Sequence, residues 1–254
     1  MTIGKVATSK GERSLAVTDK GSPVGAPSSA ALPPGFRSRL LEGLTPPEIR
    51  AVLAAARQRR ISPNEVLQRE GHPATHLFLL VTGFAAFYKA TPDGRKLFLR
   101  WISPGDAFGL AALLQTEPPP YFTTVQAVRG DSVFVWERVS AHALLSQVPR
   151  LRENAFALAS DYVASLADAL AARASQTAQQ RLARVLVESA RHIGRDGPEG
   201  IELGLTNEQL AHMADLSLFT VSRQLSEWQS ERILAKGRGK ILLRAPKRLG
   251  SQHF

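Results

Sequence analysis

The sequence contains no cysteine, which excludes disulfides, thiolate zinc sites and a cysteine-ligated iron–sulfur cluster. It has no run of about 18 apolar residues, so no membrane span is expected. Its N-terminus lacks the apolar core of a signal peptide, so the protein is expected to be cytoplasmic. Acidic residues are outnumbered: 22 Asp and Glu stand against 32 Lys and Arg, a formal net charge of +10 with a pI near 10.5. A surplus of that sign favours an acidic partner, nucleic acid first, although a basic surface can also serve solubility alone. Its placement is informative. From Thr177 to the end there are 12 Lys and Arg against 8 Asp and Glu, and five of those 12 lie between Lys236 and Lys247 with no acidic residue among them.

At 254 residues, 44% hydrophobic and 21% charged, the chain has room for one large domain or two modest ones. Residues 1–35 are rich in Ser, Gly, Ala, Pro, Thr and Lys without apolar periodicity and read as a disordered arm. Order is expected from about Arg37, through Leu40, Leu41 and Leu44 to a helix over Pro46–Arg57 whose inner face is Ile49, Val52, Leu53 and Ala56. Between Ile61 and Glu137 the texture is that of strands. The runs Glu65–Gln68, His76–Val81, Phe84–Lys89, Leu97–Ile102, Thr123–Val128 and Ser132–Trp136 alternate with Gly- and Pro-rich breaks, which predicts a small antiparallel barrel or jelly roll over 36–150. Its apolar, proline-rich segment Leu110–Phe122 could enclose a hydrophobic small molecule or simply fill the interior. A short helix over Ala141–Gln147 should end at Pro149.

From Leu151 to Ala174 the chain runs without Gly or Pro. Phe156, Val163 and Leu170 are spaced by seven, and Ala159 and Leu166 fill the other seam positions, which predicts a dimerisation helix and hinge over 151–176. Packing of the same helix on its own roll is the alternative, and Leu158 and Tyr162 on another face suit it. Thr177 can then cap a helix over Gln179–Ile193 that opens a last domain, 177–254.

Within that domain Thr206 and Gln209 have the spacing of a capping box. Leu210, Met213 and Ala214 form an inner face, and Asp215-Leu216-Ser217 breaks the helix with Ser217 placed to cap another. In the second helix Val221, Leu225 and Trp228 face inward, while Leu218, Phe219, Ser222, Arg223 and Ser226 point elsewhere. Ile233–Ala235 and Ile241–Leu243 flank a basic turn carrying Lys236, Arg238 and Lys240, a hairpin suited to phosphate contact. Together these read as a winged helix-turn-helix. Two amphipathic helices and a turn also occur in proteins that never touch DNA.

This order of elements resembles the Crp/Fnr superfamily of bacterial transcription regulators. The resemblance rests on Gly83 and Gly94 at roll corners, on Ser103-Pro104-Gly105-Asp106-Ala107-Phe108-Gly109, and on Leu216-Ser217-Leu218-Phe219-Thr220-Val221-Ser222-Arg223. It implies an α+β fold: an N-terminal antiparallel β-roll like cyclic-nucleotide-binding domains, a long dimer helix and a C-terminal winged helix-turn-helix. It also implies a homodimer on a two-fold-symmetric duplex DNA operator, with RNA polymerase contacted through the loop His192–Gly200. The departures narrow the effector. Leu110 stands where cyclic-nucleotide-binding members carry a ribose-binding Glu, and Pro120-Tyr121-Phe122-Thr123 replaces the phosphate-neutralising Arg pair. Burying a phosphate there without a cation would cost roughly several kcal/mol, so cyclic AMP and cyclic GMP are disfavoured. A haem stays open through His72, His76 and His142. The expected pocket is lined by Phe108, Gly109, Leu110, Tyr121, Phe122 and Thr123. On the DNA side, Phe219 replaces the family's base-reading Glu and Leu218 a commonly basic position. An apolar side chain can touch a thymine methyl but cannot accept from cytosine, so the operator should differ at that position.

Two readings from other classes compete. A metal-dependent jelly-roll oxygenase would need two His and a carboxylate converging in the roll, and no HxH-type pair lies on a strand. An interaction module would use its helix-turn-helix to recruit partners, which the basic wing argues against. No catalytic or metal-ligating residue is assigned.

Overall fold

Two strands of the roll are longer than its turn signals suggest, each joining two of the expected runs. The computed structural model describes residues 32–91, 96–113 and 117–251, with only the backbone of 129, 131, 168–174, 250 and 251. Gly94 and nearly all of the arm expected over 1–35 lie outside the described residues. A 3-10 turn at Arg39–Leu41 leads to α1, Pro46–Ala54, where the Glu48 carboxylate accepts from the Thr45 amide at 2.8 Å and hydroxyl at 2.7 Å. Pro46 and Pro47 suit a first turn that needs no amide donors. The helix expected to reach Arg57 stops at Ala54, and Arg57–Arg60 forms strand β1 instead. All four of its side chains are exposed, so no alternation announced this polar edge strand.

Strands β2 (Val66–Gln68), β3 (His76–Ala90), β4 (Lys96–Ile102), β5 (Ala107–Phe108) and β6 (Thr124–Glu137) complete an antiparallel sheet. Its order is β1-β6-β3-β4, with β2 on β6 and β5 on β3. Gly83 and Arg129-Gly130-Asp131, read as corners, lie inside β3 and β6. Gly83 has φ 91°, and the β3–β6 register shifts between Leu80 and Ala85; the strand bends there through irregular pairing rather than stopping. A Cβ on Gly130 would stand 2.1 Å from the Ile61 carbonyl oxygen, so that glycine permits close approach of backbone. The curled sheet encloses Phe78, Leu80, Phe87, Ile102, Phe108, Val125 and Val133, and Phe78 stacks on Phe108 at 4.8 Å.

Helix α2 (Arg138–Gln147) leads to α3 (Pro149–Ser175). Asn154 on α3 donates to the carbonyls of Leu40 and Glu42 at 3.0 and 2.8 Å, which fixes the helix against the N-terminal turn. One face carries buried Leu151 and Ala155. Higher up, Tyr162 lies against Phe87 with ring centroids 5.2 Å apart. The seam face is bare: Phe156 is 59% exposed and Val163 66%. Ala159 and Leu166 are half-buried, and the Leu170 side chain lies outside the described residues.

Helix α4 (Ala178–Ile193) is capped by Thr177, with Gln180 closing the box. Then come β7 (Arg195–Gly197), β8 (Gly200–Leu203), α5 (Asn207–Ala214), α6 (Leu218–Ser230), β9 (Leu234–Gly237), β10 (Lys240–Leu243) and α7 (Pro246–Ser251). The sheet runs β7-β8-β10-β9. Strand β7 reads in sequence only as the end of a helix, because Arg195-Asp196-Gly197 has no apolar residue. Leu182, Leu186, Leu203, Leu210, Val221, Leu225 and Trp228 form this core, which is continuous with Phe98 and Trp101 on the outer face of β4. A register shift at Leu99 explains the join: it sets Phe98 and Trp101, three residues apart, on the outer face, while Arg100 and Ile102 face the roll interior. No helix among the described residues is long and apolar enough to cross a membrane.

Candidate nucleic-acid interface

Both helices of the motif begin on the predicted caps. Thr206 Oγ1 accepts from the Gln209 amide at 3.2 Å, and Gln209 Oε1 accepts from the Thr206 amide at 2.8 Å. Ser217 Oγ accepts from the Thr220 amide at 3.1 Å and shares a hydrogen bond with the Thr220 hydroxyl at 2.8 Å. Between them Asp215 adopts φ 52°, a left-handed turn that Asp tolerates better than most residues. Arg181 Nε from α4 donates to the Ala214 carbonyl at 3.1 Å, which ties the turn to the rest of the domain.

Helix α6 is divided lengthwise. Val221, Leu225 and Trp228 are fully buried, so the helix cannot rotate without exposing its core. The opposite side therefore presents a fixed set: Phe219 is 76% exposed and Leu218 49%, Arg223 and Ser226 are exposed, and Ser222 is half-buried. Phe219 and Arg223 are four residues apart and hence neighbours on one face. Thr206, Asn207, Glu208, Leu218, Phe219 and Ser222 line an open groove between the N-termini of α5 and α6. Asn207 and Glu208 went unnoticed in the sequence, because nothing local marks a helix's first turn as facing another helix's tip.

The wing folds as expected, with Gly239 at φ 69° in the turn after Arg238. Its three cations are not equivalent. Lys236 Nζ donates to Ser226 Oγ at 2.8 Å, and Ser226 Oγ donates to the Ser222 carbonyl at 2.9 Å; this cation is docked onto α6. Lys240 Nζ pairs with Glu202 Oε2 at 2.7 Å across the β8–β10 ladder, and this hydrogen bond and charge hold the Glu202 carboxyl below its ordinary range. Arg238 stands exposed at the tip.

The six residues expected to line an effector pocket do not form one unit. Phe108 and Tyr121 are buried within the roll core. The Tyr121 hydroxyl accepts from the His76 amide at 3.0 Å and donates to the His76 carbonyl at 2.9 Å. Gly109 has φ 79°, and a Cβ there would meet the His76 carbonyl oxygen at 2.5 Å. Leu110 opens a 3-10 turn, Phe122 is exposed on the surface, and Thr123 is buried.

The three histidines do not fit a haem. His72 is exposed on a turn. His76 lies half-buried with Nδ1 2.9 Å from Thr75 Oγ1, and His142 Nε2 is 3.1 Å from the Ala112 carbonyl oxygen. Among the described residues, no three His, Cys, Asp or Glu could hold a metal ion together.

A family model of the cyclic nucleotide-binding domain matches residues 58–148, and one of the Crp-like helix-turn-helix domain matches 180–251. The chain is 23% identical over 195 residues to a CRP-like cAMP-activated global transcriptional regulator of Mycobacterium tuberculosis, covering 76% of this chain and 86% of that protein. It is 26% identical over 179 residues to the transcriptional activatory protein AadR of Rhodopseudomonas palustris, covering 69% and 72%. Among solved structures, FixK2 from Bradyrhizobium japonicum superposes with a TM-score of 0.64 at 26% identity, covering 78% of this chain and 98% of that one. The c-di-GMP responsive global regulator CLP of Xanthomonas campestris gives 0.69 at 18% identity, covering 78% and 99%, a likeness of fold alone. Roll and reader thus match relatives that share one trade, and the chain belongs to the Crp/Fnr superfamily of DNA-binding transcription regulators.

Proposed function

We propose that the protein acts as a homodimer on a two-fold-symmetric operator, with α6 of each protomer in the major groove. The observation that carries this is the division of α6, whose anchored inner face leaves Phe219 and Arg223 displayed together. Arg223 reads guanine, because its planar fork can bond O6 and N7 at once. Phe219 contacts a thymine methyl, and Ser222 and Leu218 tune the neighbouring step. Lys236, Arg238 and Lys240, with the helix N-termini at Thr206 and Ser217, position phosphates. The pairing surface is the α3 stripe, since Phe156 and Val163 are large, apolar and exposed one heptad apart. Contact with RNA polymerase through the 192–200 segment follows from family membership.

The roll signals by population shift: an occupant that favours one placement of α3 reorients the two DNA-binding domains about 175–177. A cyclic nucleotide is a poor candidate, because Leu110 offers no ribose acceptor and Tyr121 spends its hydroxyl on His76. Fluorescence anisotropy on operator and random duplexes tests the reading. Specific binding should exceed random binding by at least about a thousandfold and weaken steeply with salt. Equal binding to both duplexes would overturn it.

A further inference from the structure

The two helix N-termini on the reading face differ in charge. Helix α6 opens on Leu218-Phe219-Thr220 with no acidic residue in its first turn, whereas α5 opens on Asn207-Glu208. Glu208 is exposed, and it lines the groove that Leu218, Phe219 and Ser222 line from the other helix. Helical side chains lean toward the N-terminus, so the carboxylate is carried toward the end of α5 where the first amides point.

Three other carboxylates of the domain are neutralised inside the fold. Glu188 pairs with Arg184 at 2.9 Å, Glu199 with Arg244 at 2.9 Å and Glu202 with Lys240 at 2.7 Å. Among the described residues, no cation pairs with Glu208. An acidic residue in a first turn suits the helix dipole, which accounts for Glu208 as long as no other anion comes near. A duplex brings one. In a helix-turn-helix the second helix enters the major groove while the first crosses the backbone, which sets phosphates against the N-terminus of α5.

We propose that Glu208 is a brake on backbone contact. Its carboxylate opposes the nearest phosphate, so the Thr206 end of α5 holds DNA less firmly than the Ser217 end of α6. It acts against the phosphodiester backbone and not against a base, so the loss falls alike on every sequence. For a chain of net charge +10, this trims the hold on random duplex and leaves occupancy to the base contacts of α6. The inference rests on the reading of the chain as a duplex-binding regulator.

Fluorescence anisotropy of the full-length wild type, Glu208→Gln and Glu208→Lys over a range of salt tests it. The probes are a duplex selected from a random pool and a scrambled duplex of the same length. Glu208→Gln should bind both about two- to fivefold more tightly. It should also steepen the slope of log affinity against log salt by up to about one, and Glu208→Lys should exceed it in both respects. The melting temperature of Glu208→Gln should fall slightly, because α5 loses the partner of its dipole. A purely structural role predicts weaker binding alongside that fall, the opposite sign. Unchanged or weaker binding by a folded Glu208→Gln protein would overturn the inference. A gain confined to one base pair of the selected duplex would also overturn it, since Glu208 would then read a base. Either result leaves the function proposed above standing, whereas a wild type without salt-dependent DNA binding overturns both.

Discussion

The roll and the winged helix-turn-helix are both small antiparallel sheets joined to helices, yet they keep their chemistry on opposite sides of their cores. In the DNA-binding end the core around Trp228 is apolar but for Ser189, Gln224 and the Trp228 indole nitrogen, and the informative side chains, Phe219 and Arg223, stand outside it. In the roll the informative polar groups, Gln68 and Arg100, are turned inward among aromatics, and the outer face of β4 serves as packing surface for the other domain. A reader of a large duplex needs a rigid core and an exposed face. The apolar cluster of the DNA-binding end continues onto the outer face of β4, while the roll interior keeps a core of its own.

The sharpest break in that contrast is Trp228→Ala. It should destabilise the DNA-binding end by about 3–5 kcal/mol, read as a lowered urea midpoint with loss of DNA binding. Next in size is Phe156→Asp combined with Val163→Asp. Sedimentation should then report a monomer, and operator affinity should fall about a hundredfold or more as the second half-site is lost. Arg223→Ala should cost about 1–3 kcal/mol on the operator and little on random duplex. At the wing, Arg238→Ala should lower the slope of log affinity against log salt by about one. Lys240→Ala should lower it less, because Glu202 already offsets part of its charge.

The smallest effect is on acidity. His192 on α4 bonds Ser103 of the roll at 2.5 Å. Burial lowers its pKa from 6.5, against the opposing pull of Asp106 and Glu188 and with smaller lowering contributions from Arg100 and Arg191. A depressed folded pKa means that the unfolded chain binds the proton more readily. The stabilisation is therefore present above about pH 6.5 and is lost as pH falls through the folded value. His192→Gln should flatten the decline of melting temperature between about pH 7 and pH 5.

Much of this was legible in the sequence where local chemistry and global packing agree. The caps at Thr177, Thr206 and Ser217, the inward triplet Val221, Leu225 and Trp228, and the bare stripe of α3 follow from spacing alone. The misreadings have physical causes. Gly83 and Gly130 look like corners, yet each lies within a strand, one at an irregular bend and the other where backbones approach closely. Strands β1 and β7 carry no apolar alternation, since their side chains are all exposed. The row Gln68, Val125, Phe87 and Arg100 was hidden because its members come from β2, β6, β3 and β4, and only the register brings them together.

The central claim is that α6 reads DNA with Phe219 where a carboxylate would be expected. Selection of bound sequences from a random duplex pool, run with the wild type and with Phe219→Glu, tests it most directly. The wild type should enrich an inverted repeat with half-sites about one helical turn apart, carrying thymine at the position that Phe219 faces. The variant should move that position toward cytosine. No enriched repeat, or the same repeat from both proteins, would contradict the account.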